Sequence, residues 1–188
     1  MAKPKLLLVD GSSLAFRAFF SILDLNRFKN SNGLHTNALY SFHRMFKSIL
    51  DSEKPTHVLV AWDAGKTTFR TEMYADYKGG RSKTPGEFIE QMPYFNVLLD
   101  AWGIPHYRLN QYEADDIIGT LAKQGEAAGY EVVVLSGDKD LIQLADNNIT
   151  VKITTKGVTE LVEYTPEVIF EKFGLTPEQI IDMKGLMG

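Results

Sequence analysis

The chain has 188 residues, of which 44% are hydrophobic and 11% aromatic, which is enough apolar material for one domain to bury a core. Cysteine is absent, which excludes disulfides, thiolate zinc sites and a cysteine nucleophile. The apolar run Leu6–Val9 is too short for a signal peptide, and no stretch approaches the ~20 apolar residues of a membrane span. We therefore expect a cytoplasmic globular domain without membrane contact.

The net charge of −4 conceals an asymmetry along the chain. Residues 1–50 carry seven Lys and Arg against two Asp, a balance of +5 that leaves −9 for the remaining residues. A surface can therefore be basic where it meets phosphates while the acids collect where cations neutralise them. Ordinary scatter of surface charge is the alternative interpretation.

Short aliphatic runs bounded by turn residues predict buried parallel strands. The clearest of these runs are Lys5–Val9, His57–Trp62 and Glu131–Leu135. Weaker strand patterns lie at Ile104–Leu109 and Ile149–Ile153. Strands in this arrangement need helical crossovers between them, which the intervening segments supply.

Apolar residues recur at three- and four-residue spacing from Ala38 to Ile49 and from Ala114 to Ala122, which predicts two amphipathic helices. Thr84 and Thr176 each open a capping box with proline next in sequence, so further helices should start there. Pro93 interrupts another apolar pattern and predicts a kink or two successive helices. The alternation predicts an α/β fold with a mostly parallel central sheet flanked by helices.

Acidic residues follow the predicted strands. Asp10, Asp63 and Asp138 each stand at or just beyond the C-terminal end of a strand. Parallel strands end at one edge of a sheet, where ligands bind in open α/β folds, so these side chains should converge. Three further acids, Glu113, Asp115 and Asp116, lie at the start of a predicted helix. A fourth, Asp140, lies two residues beyond Asp138. We therefore expect one cluster of seven carboxylates.

Each acid alone also has a structural explanation. Asp10 and Asp138 could be helix N-caps, and Asp115 and Asp116 could complement a helix dipole. Together, however, packed carboxylates repel one another and have raised pKa values unless cations neutralise them. Oxygen ligation without cysteine favours Mg²⁺ or Mn²⁺, and the four histidines have no ligand spacing.

Two such ions roughly 3.5–4 Å apart stabilise the attacking and leaving oxygens of a phosphodiester. No glycine-rich phosphate loop of the Walker or dinucleotide type follows Asp10. The acids therefore predict metal-dependent phosphoryl hydrolysis rather than nucleotide-driven chemistry.

A basic excursion follows the second strand. From Asp63 to Lys83 there are five cations against three acids. Cations bind phosphates and aromatic rings stack on unpaired bases, a mixture typical of single-stranded nucleic-acid binding, with a solvated loop as the alternative. The predicted DNA-binding residues are Arg17, Lys66, Arg70, Tyr77, Lys78, Arg81 and Lys83.

These motifs together resemble the 5′-nuclease domain of bacterial DNA polymerase I, within the flap-endonuclease superfamily and its PIN-like fold. The resemblance rests on Leu8–Ser13, Asp63–Arg70, Tyr77–Lys78 with Arg81, Glu113–Thr120 and Ser136–Asp140. It implies that all seven acids bind or position metal ions and that Lys78 and Arg81 are catalytic phosphate clamps. It also implies a mobile helical arch near residues 71–90 that admits a 5′ single strand.

The resemblance further implies the substrates and surroundings. The expected substrates are DNA with a 5′ flap or 5′ end and RNA primers in RNA–DNA duplexes, processed in bacterial replication and repair near the nucleoid. A polymerase portion would belong to the same polypeptide. A PIN-like ribonuclease, and a fragment that binds branched DNA without cutting it, are the alternatives.

In this family, Ile180–Gly188 leads into a helix-hairpin module with two further aspartates and a duplex-binding surface, which residues 1–188 do not include. We therefore expect residues 1–188 to form a single domain that folds and binds at least one divalent ion, yet cleaves DNA poorly.

Overall fold

A six-stranded sheet forms the centre of the computed structural model, which describes residues 3–65, 68–73, 83–155 and 160–187. Its strand order is β3-β2-β1-β4-β5-β6, with all neighbours parallel except the antiparallel pair β5 and β6. The strands are β1 Lys5–Asp10, β2 His57–Trp62, β3 His106–Arg108, β4 Glu131–Ser136, β5 Ile149–Thr154 and β6 Leu161–Tyr164. The predicted α/β fold is confirmed.

Helices cover both faces of this sheet. In the described residues they are α1 Gly11–Phe20, α2 Asn37–Glu53, α3 Phe69–Met73, α4 Gly86–Ile89, α5 Met92–Ala101, α6 Ala114–Ala127, α7 Pro166–Phe173 and α8 Pro177–Met187. Side chains alternate along a strand, so Leu7 and Val9 of β1 pack against α1, α2, α4 and α5, while Leu8 packs with α6, α7 and α8. The result is two apolar cores, one on each face.

Of the two predicted capping boxes, one is confirmed and one is wrong. Thr176 forms the expected capping box, because its amide donates to Gln179 Oε1 at 2.9 Å and its hydroxyl accepts from the Gln179 amide at 3.4 Å. Pro93 lies in the first turn of α5, and Glu90 and Gln91 separate this helix from α4, so there are two successive helices. The predicted Thr84 cap is wrong: α4 begins at Gly86, and the extended Pro85 precedes it.

Some elements were missed, among them α7, although Thr165 followed by Pro166 is the same helix-start signal as at Thr176. The strand β6 and the helix α7 were not anticipated, and β3 is shorter than the predicted Ile104–Leu109. Residues 74–82 of the expected arch lie outside the described residues, whereas α4 belongs to its described part. Within the described ranges, no helix is both long and apolar enough to span a bilayer.

Gly11 lets the start of α1 lie directly against β2. A Cβ atom at this position would lie 2.7 Å from Val60 Cγ1 and 3.0 Å from the backbone oxygen of Ala61. Because a backbone oxygen cannot rotate away, we expect Gly11→Ala to lower the free energy of unfolding by about 1–3 kcal/mol, measured by urea denaturation. Gly119→Ala is the matched control, since its Cβ would meet only Leu144 Cδ2 at 3.6 Å. Equal stability of the two variants would contradict the prediction.

Candidate metal and nucleic-acid site

A cavity of about 980 Å³ opens at the carboxyl ends of β1, β2 and β4. Three strand ends and the start of α6 bring acidic side chains to its wall. The acids that line it are Asp10, Asp63, Glu113, Asp115 and Asp138. Residues distant in sequence therefore meet at one sheet edge, as open α/β folds arrange their ligand sites.

Asp10 occupies the centre of this edge and is 3% exposed. Its Oδ1 accepts a hydrogen bond from the Ser13 amide at 2.9 Å, so it is the N-cap of α1. Its Oδ2 accepts from the hydroxyl of Ser136 at 2.7 Å, and that hydroxyl accepts from the Asp138 amide at 2.9 Å. The buried Ser136 therefore holds the ends of β1 and β4 in a fixed relation.

A hydrogen bond to α1 and one from α6 orient Asp63 at the end of β2. The Asp63 amide donates to Ser12 Oγ at 2.9 Å, and Asp63 Oδ1 accepts from the amide of Ala114 at 2.8 Å. Ser13 Oγ accepts from the Gly137 amide at 2.9 Å. The two adjacent serines thus tie α1 to the ends of β2 and β4. Sequence reasoning assigned no such role to them.

The acids at the cavity also influence one another's ionisation. Burial raises the pKa of Asp115 to about 7, and repulsion from Asp10, Asp138, Asp63 and Glu113 adds to the effect. Burial likewise raises the pKa of Asp10 to about 6, against the hydrogen bonds from Ser136 and Ser13 that lower it. A bound cation would relieve this concentration of negative charge.

Two of the seven predicted acids have basic partners beside the cavity instead of lining it. Asp116 accepts two hydrogen bonds from the Arg70 guanidinium, at 2.7 and 2.8 Å, and one from the amide of Glu113 at 2.9 Å. Asp140 lies 2.6 Å from Lys184 Nζ. These neighbours supply local charge compensation that sequence patterns do not encode. A role in metal binding for these two acids stays a prediction.

The donor set fits a hydrated divalent ion better than an all-protein cage. In the part of the chain that the structure describes, no three His, Asp or Glu side chains are arranged to hold one ion between them. Mg²⁺ usually keeps several waters and binds through one or two carboxylates together with substrate phosphates. The four histidines are absent from the residues that line the cavity. An ion at this wall would therefore be held by carboxylate oxygens, with waters completing its coordination.

Among the described residues, two arginines line the same cavity as the acids. Arg17, which was a predicted DNA-binding residue, extends from α1, and its guanidinium donates to the carbonyl oxygen of Thr155. Arg108 was not predicted and stands at the carboxyl end of β3. The signal for Arg108 was its place at the end of a strand pattern, the same signal that identified the acids.

The other predicted DNA-binding residues fall into two groups. Arg70 forms its ion pair with Asp116, and its guanidinium lies 4.5 Å from the ring centroid of Phe69. Lys83 is exposed and is not among the residues that line the cavity. Four of the predicted residues lie outside the described residues: Lys66, Tyr77, Lys78 and Arg81.

The wall of the cavity beside α1 and α4 is aromatic and aliphatic. Phe16 is 44% exposed, and its ring centroid lies 4.8 Å from that of Phe20 and 5.6 Å from that of Phe88, both edge to face. Ile89 and Met92 extend the same wall. Sequence reasoning missed these residues, although the four-residue spacing of Phe16 and Phe20 after Asp10 was visible. The cavity thus joins acidic, basic and apolar surfaces.

Comparison with known proteins agrees with this arrangement. A family model described as the 5′-3′ exonuclease, N-terminal resolvase-like domain matches residues 5–174. DNA polymerase I of Streptococcus pneumoniae is 61% identical over 189 residues, which cover 100% of this chain and 22% of that protein. DNA polymerase I of Bacillus subtilis is 61% identical over 186 residues, covering 99% and 21%. The chain therefore spans about 22% of the length of these curated relatives.

Solved structures with the same fold include nucleases. The bacteriophage T5 5′-exonuclease with bound zinc has a TM-score of 0.68 and 25% identity, covering 94% of this chain and 64% of that one. The T5 flap endonuclease complex with DNA and metal ions has a TM-score of 0.70 and 26% identity, covering 98% and 66%. Flap endonuclease-1 of Methanococcus jannaschii shares the fold, with a TM-score of 0.56 at 17% identity and coverage of 96% and 62%. The family model matches most of the chain, and relatives at 61% identity match nearly all of it. The chain therefore belongs to the family of 5′-3′ exonuclease N-terminal domains found in bacterial DNA polymerase I.

Proposed function

We propose that this nuclease domain hydrolyses DNA phosphodiesters at 5′ ends and 5′ flaps with two Mg²⁺ or Mn²⁺ ions. The observation that carries the proposal is the convergence of five carboxylates on one cavity, two of them with raised pKa values. Such a group of acids is costly without cations and favourable with them. Two-metal hydrolysis of a phosphodiester requires divalent cations of this kind, whereas a purely structural domain would not require them.

The chain's own residues divide the work. Asp10, Asp115 and their acidic neighbours would hold the ions, and hydrogen bonds from the Ser136 hydroxyl and the Ser13 amide keep the Asp10 carboxylate in place. Divalent ions supply charge stabilisation at the scissile phosphate and activation of water. Arg17 and Arg108, beside the acids, would contact strand phosphates.

The aromatic wall indicates which part of the substrate enters the cavity. Partly exposed phenylalanine rings offer surfaces on which unpaired bases stack, and duplex bases are not available for this contact. We therefore propose that a single-stranded 5′ segment lies along Phe16 and Phe20. We further propose that RNA primers paired with DNA are also substrates and that a polymerase portion belongs to the same polypeptide. The protein would act in the bacterial cytoplasm.

The test compares substrates and metals. Cleavage of a 5′-flap DNA is measured in Mg²⁺, Mn²⁺, Ca²⁺ and EDTA, with single-stranded RNA as the second substrate. We expect flap cleavage in Mg²⁺ and Mn²⁺ and binding without cleavage in Ca²⁺. Preferential cleavage of the RNA would favour a ribonuclease. Binding of the flap in Mg²⁺ with no cleavage in any metal would favour a DNA-binding role instead.

Lys78→Ala is expected to slow flap cleavage by roughly 10-fold or more while leaving thermal stability unchanged, because this lysine lies in a polar excursion and binds phosphate in our proposal. Initial rates and melting temperatures are measured together. Lys47→Ala removes an exposed lysine of α2 that pairs with Asp51, and it is the control. A Lys78 variant that melts many degrees lower and cleaves normally would contradict the assignment.

A further inference from the structure

A second, smaller pocket of about 200 Å³ adjoins the carboxylate cavity. Met92 and Arg108 line both spaces, so the two spaces share part of a wall. The remaining lining residues are Trp62, Pro93 and Asn96. We call this space the Arg108 pocket.

The pairing of the strands explains why Arg108 and Trp62 meet there. They are register partners on the parallel strands β2 and β3, so their side chains leave the sheet on the same face. Trp62 packs in the core on that face, with its ring centroid 5.8 Å from that of Phe95 in α5. The same helix supplies Asn96, so the pocket is enclosed between α5 and the edge of the sheet.

The polar groups of the pocket favour an anion. None of the described residues that line it is acidic, and the Arg108 guanidinium and the Asn96 carboxamide supply hydrogen-bond donors. The Trp62 indole is 2% exposed, and its Nε1 has no hydrogen-bond partner among the residues that the structure describes. The indole ring lines the pocket while its N–H lies out of reach of a ligand, so Trp62 reports on occupancy of the pocket without binding the anion itself.

We propose that the Arg108 pocket binds a phosphate group. Guanidinium donors match phosphate oxygens in pairs, and this space far exceeds the ~30 Å³ share of one water. The phosphate could belong to a nucleic-acid strand that passes the carboxylates or be free in solution. The assignment to a strand rests on the proposed nuclease function, whereas phosphate binding itself rests on the donors and can be tested without cleavage.

The direct test follows the indole N–H signals of the chain by ¹⁵N NMR in EDTA. The sequence contains two tryptophans, and Trp102→Phe identifies the signal of Trp62. Inorganic phosphate is expected to shift the Trp62 signal and leave that of Trp102 in place. Arg108→Ala should abolish the response. Arg44→Ala, which removes an exposed arginine from α2, should preserve it.

Two single-stranded oligonucleotides distinguish the sources of phosphate. One carries a 5′ phosphate, and the other has the same sequence with a 5′ hydroxyl. A response to the first alone assigns a terminal phosphate, a response to both assigns internal phosphodiesters, and a response only to inorganic phosphate assigns the free ion. A Trp62 signal that moves in no titration, or one that still moves in Arg108→Ala, would overturn the proposal.

Kinetics give a second readout. Arg108→Ala should raise KM for flap DNA about 10-fold with kcat nearly unchanged, and Arg108→Lys should restore part of the loss, because a phosphate contact away from the reacting bond contributes mainly to binding. A wild-type chain without metal-dependent cleavage would refute the nuclease proposal while leaving the NMR result intact. A fall in kcat alone, with KM unchanged, would contradict the pocket's role.

Discussion

Asp115→Asn is expected to reduce Mg²⁺-dependent flap cleavage by roughly 100-fold or more without unfolding the domain. Four other carboxylates repel the charge of Asp115, so a cation beside it would relieve that repulsion. Removing one group that stabilises charge in a transition state typically costs about 100- to 1,000-fold in rate. The asparagine keeps the shape of the side chain, so the loss should come from charge.

The measurement is a single-turnover rate on flap DNA over a series of Mg²⁺ concentrations. The matched control is Asp51→Asn, since Asp51 is exposed on α2 and pairs with Lys47. We expect the control to cleave like the wild type. An Asp115→Asn variant with the wild-type rate and the same Mg²⁺ dependence would show that this carboxylate has no part in metal binding.

The positions of the central acids could be predicted because they follow from sheet geometry alone. Asp10, Asp63 and Asp138 end or follow parallel strands, whose carboxyl ends lie at the same edge of the sheet regardless of the sequence between them. Only the strand patterns had to be recognised. Buried parallel strands give continuous aliphatic runs, which are the most legible pattern in this chain.

The capping explanation and the clustering explanation both hold for Asp10. It caps α1 through Ser13 and also faces the other carboxylates of the cavity. Each carboxylate oxygen can accept more than one hydrogen bond, so an oxygen that caps a helix can still contact a hydrated ion. Local capping thus fixes the orientation of the side chain on which the site depends.

Partners that depend on tertiary contacts could not be predicted. Arg70 reaches Asp116 across 46 positions of sequence, and Lys184 of α8 reaches Asp140. No local pattern states which cation meets which acid, because that depends on how α3 and α8 pack. Arg108 was missed for a different reason: its strand was anticipated, but only acidic residues at strand ends were considered as site residues.

Asp115→Asn should also stabilise the metal-free domain at about pH 8, in contrast to its effect on activity. The pKa of Asp115 rises from its ordinary value of 3.8 to about 7 in the folded chain. Between about pH 4 and pH 7 the folded chain therefore binds more protons at this residue than the unfolded chain, so the free energy of unfolding falls as pH rises through that window. Above about pH 7, the ionised Asp115 destabilises the folded chain by its full amount. Asparagine has no charge and does not have this cost.

In EDTA at about pH 8, we expect the free energy of unfolding of the variant to exceed that of the wild type by on the order of 2 kcal/mol. The melting temperature should rise by several degrees. The difference should shrink as pH falls toward about 4, where the wild-type carboxyl is protonated in both states. Mg²⁺ should raise the melting temperature, because the ion binds only the folded chain. The rise should be larger for the wild type, because the variant lacks one of the carboxylates that bind the ion.

Asp146→Asn is the control with the opposite sign. Its hydrogen bond with Lys123 lowers the pKa of Asp146, so the ionised side chain favours the folded state and its loss should not raise the melting temperature. Thermal unfolding of all three proteins across the same pH series, with EDTA and with Mg²⁺, decides the matter. If Asp115→Asn melts below the wild type at about pH 8 in EDTA, the carboxylates do not repel one another as the cavity geometry requires. A gain that disappears when Mg²⁺ is added would instead show that the repulsion is what the cation relieves.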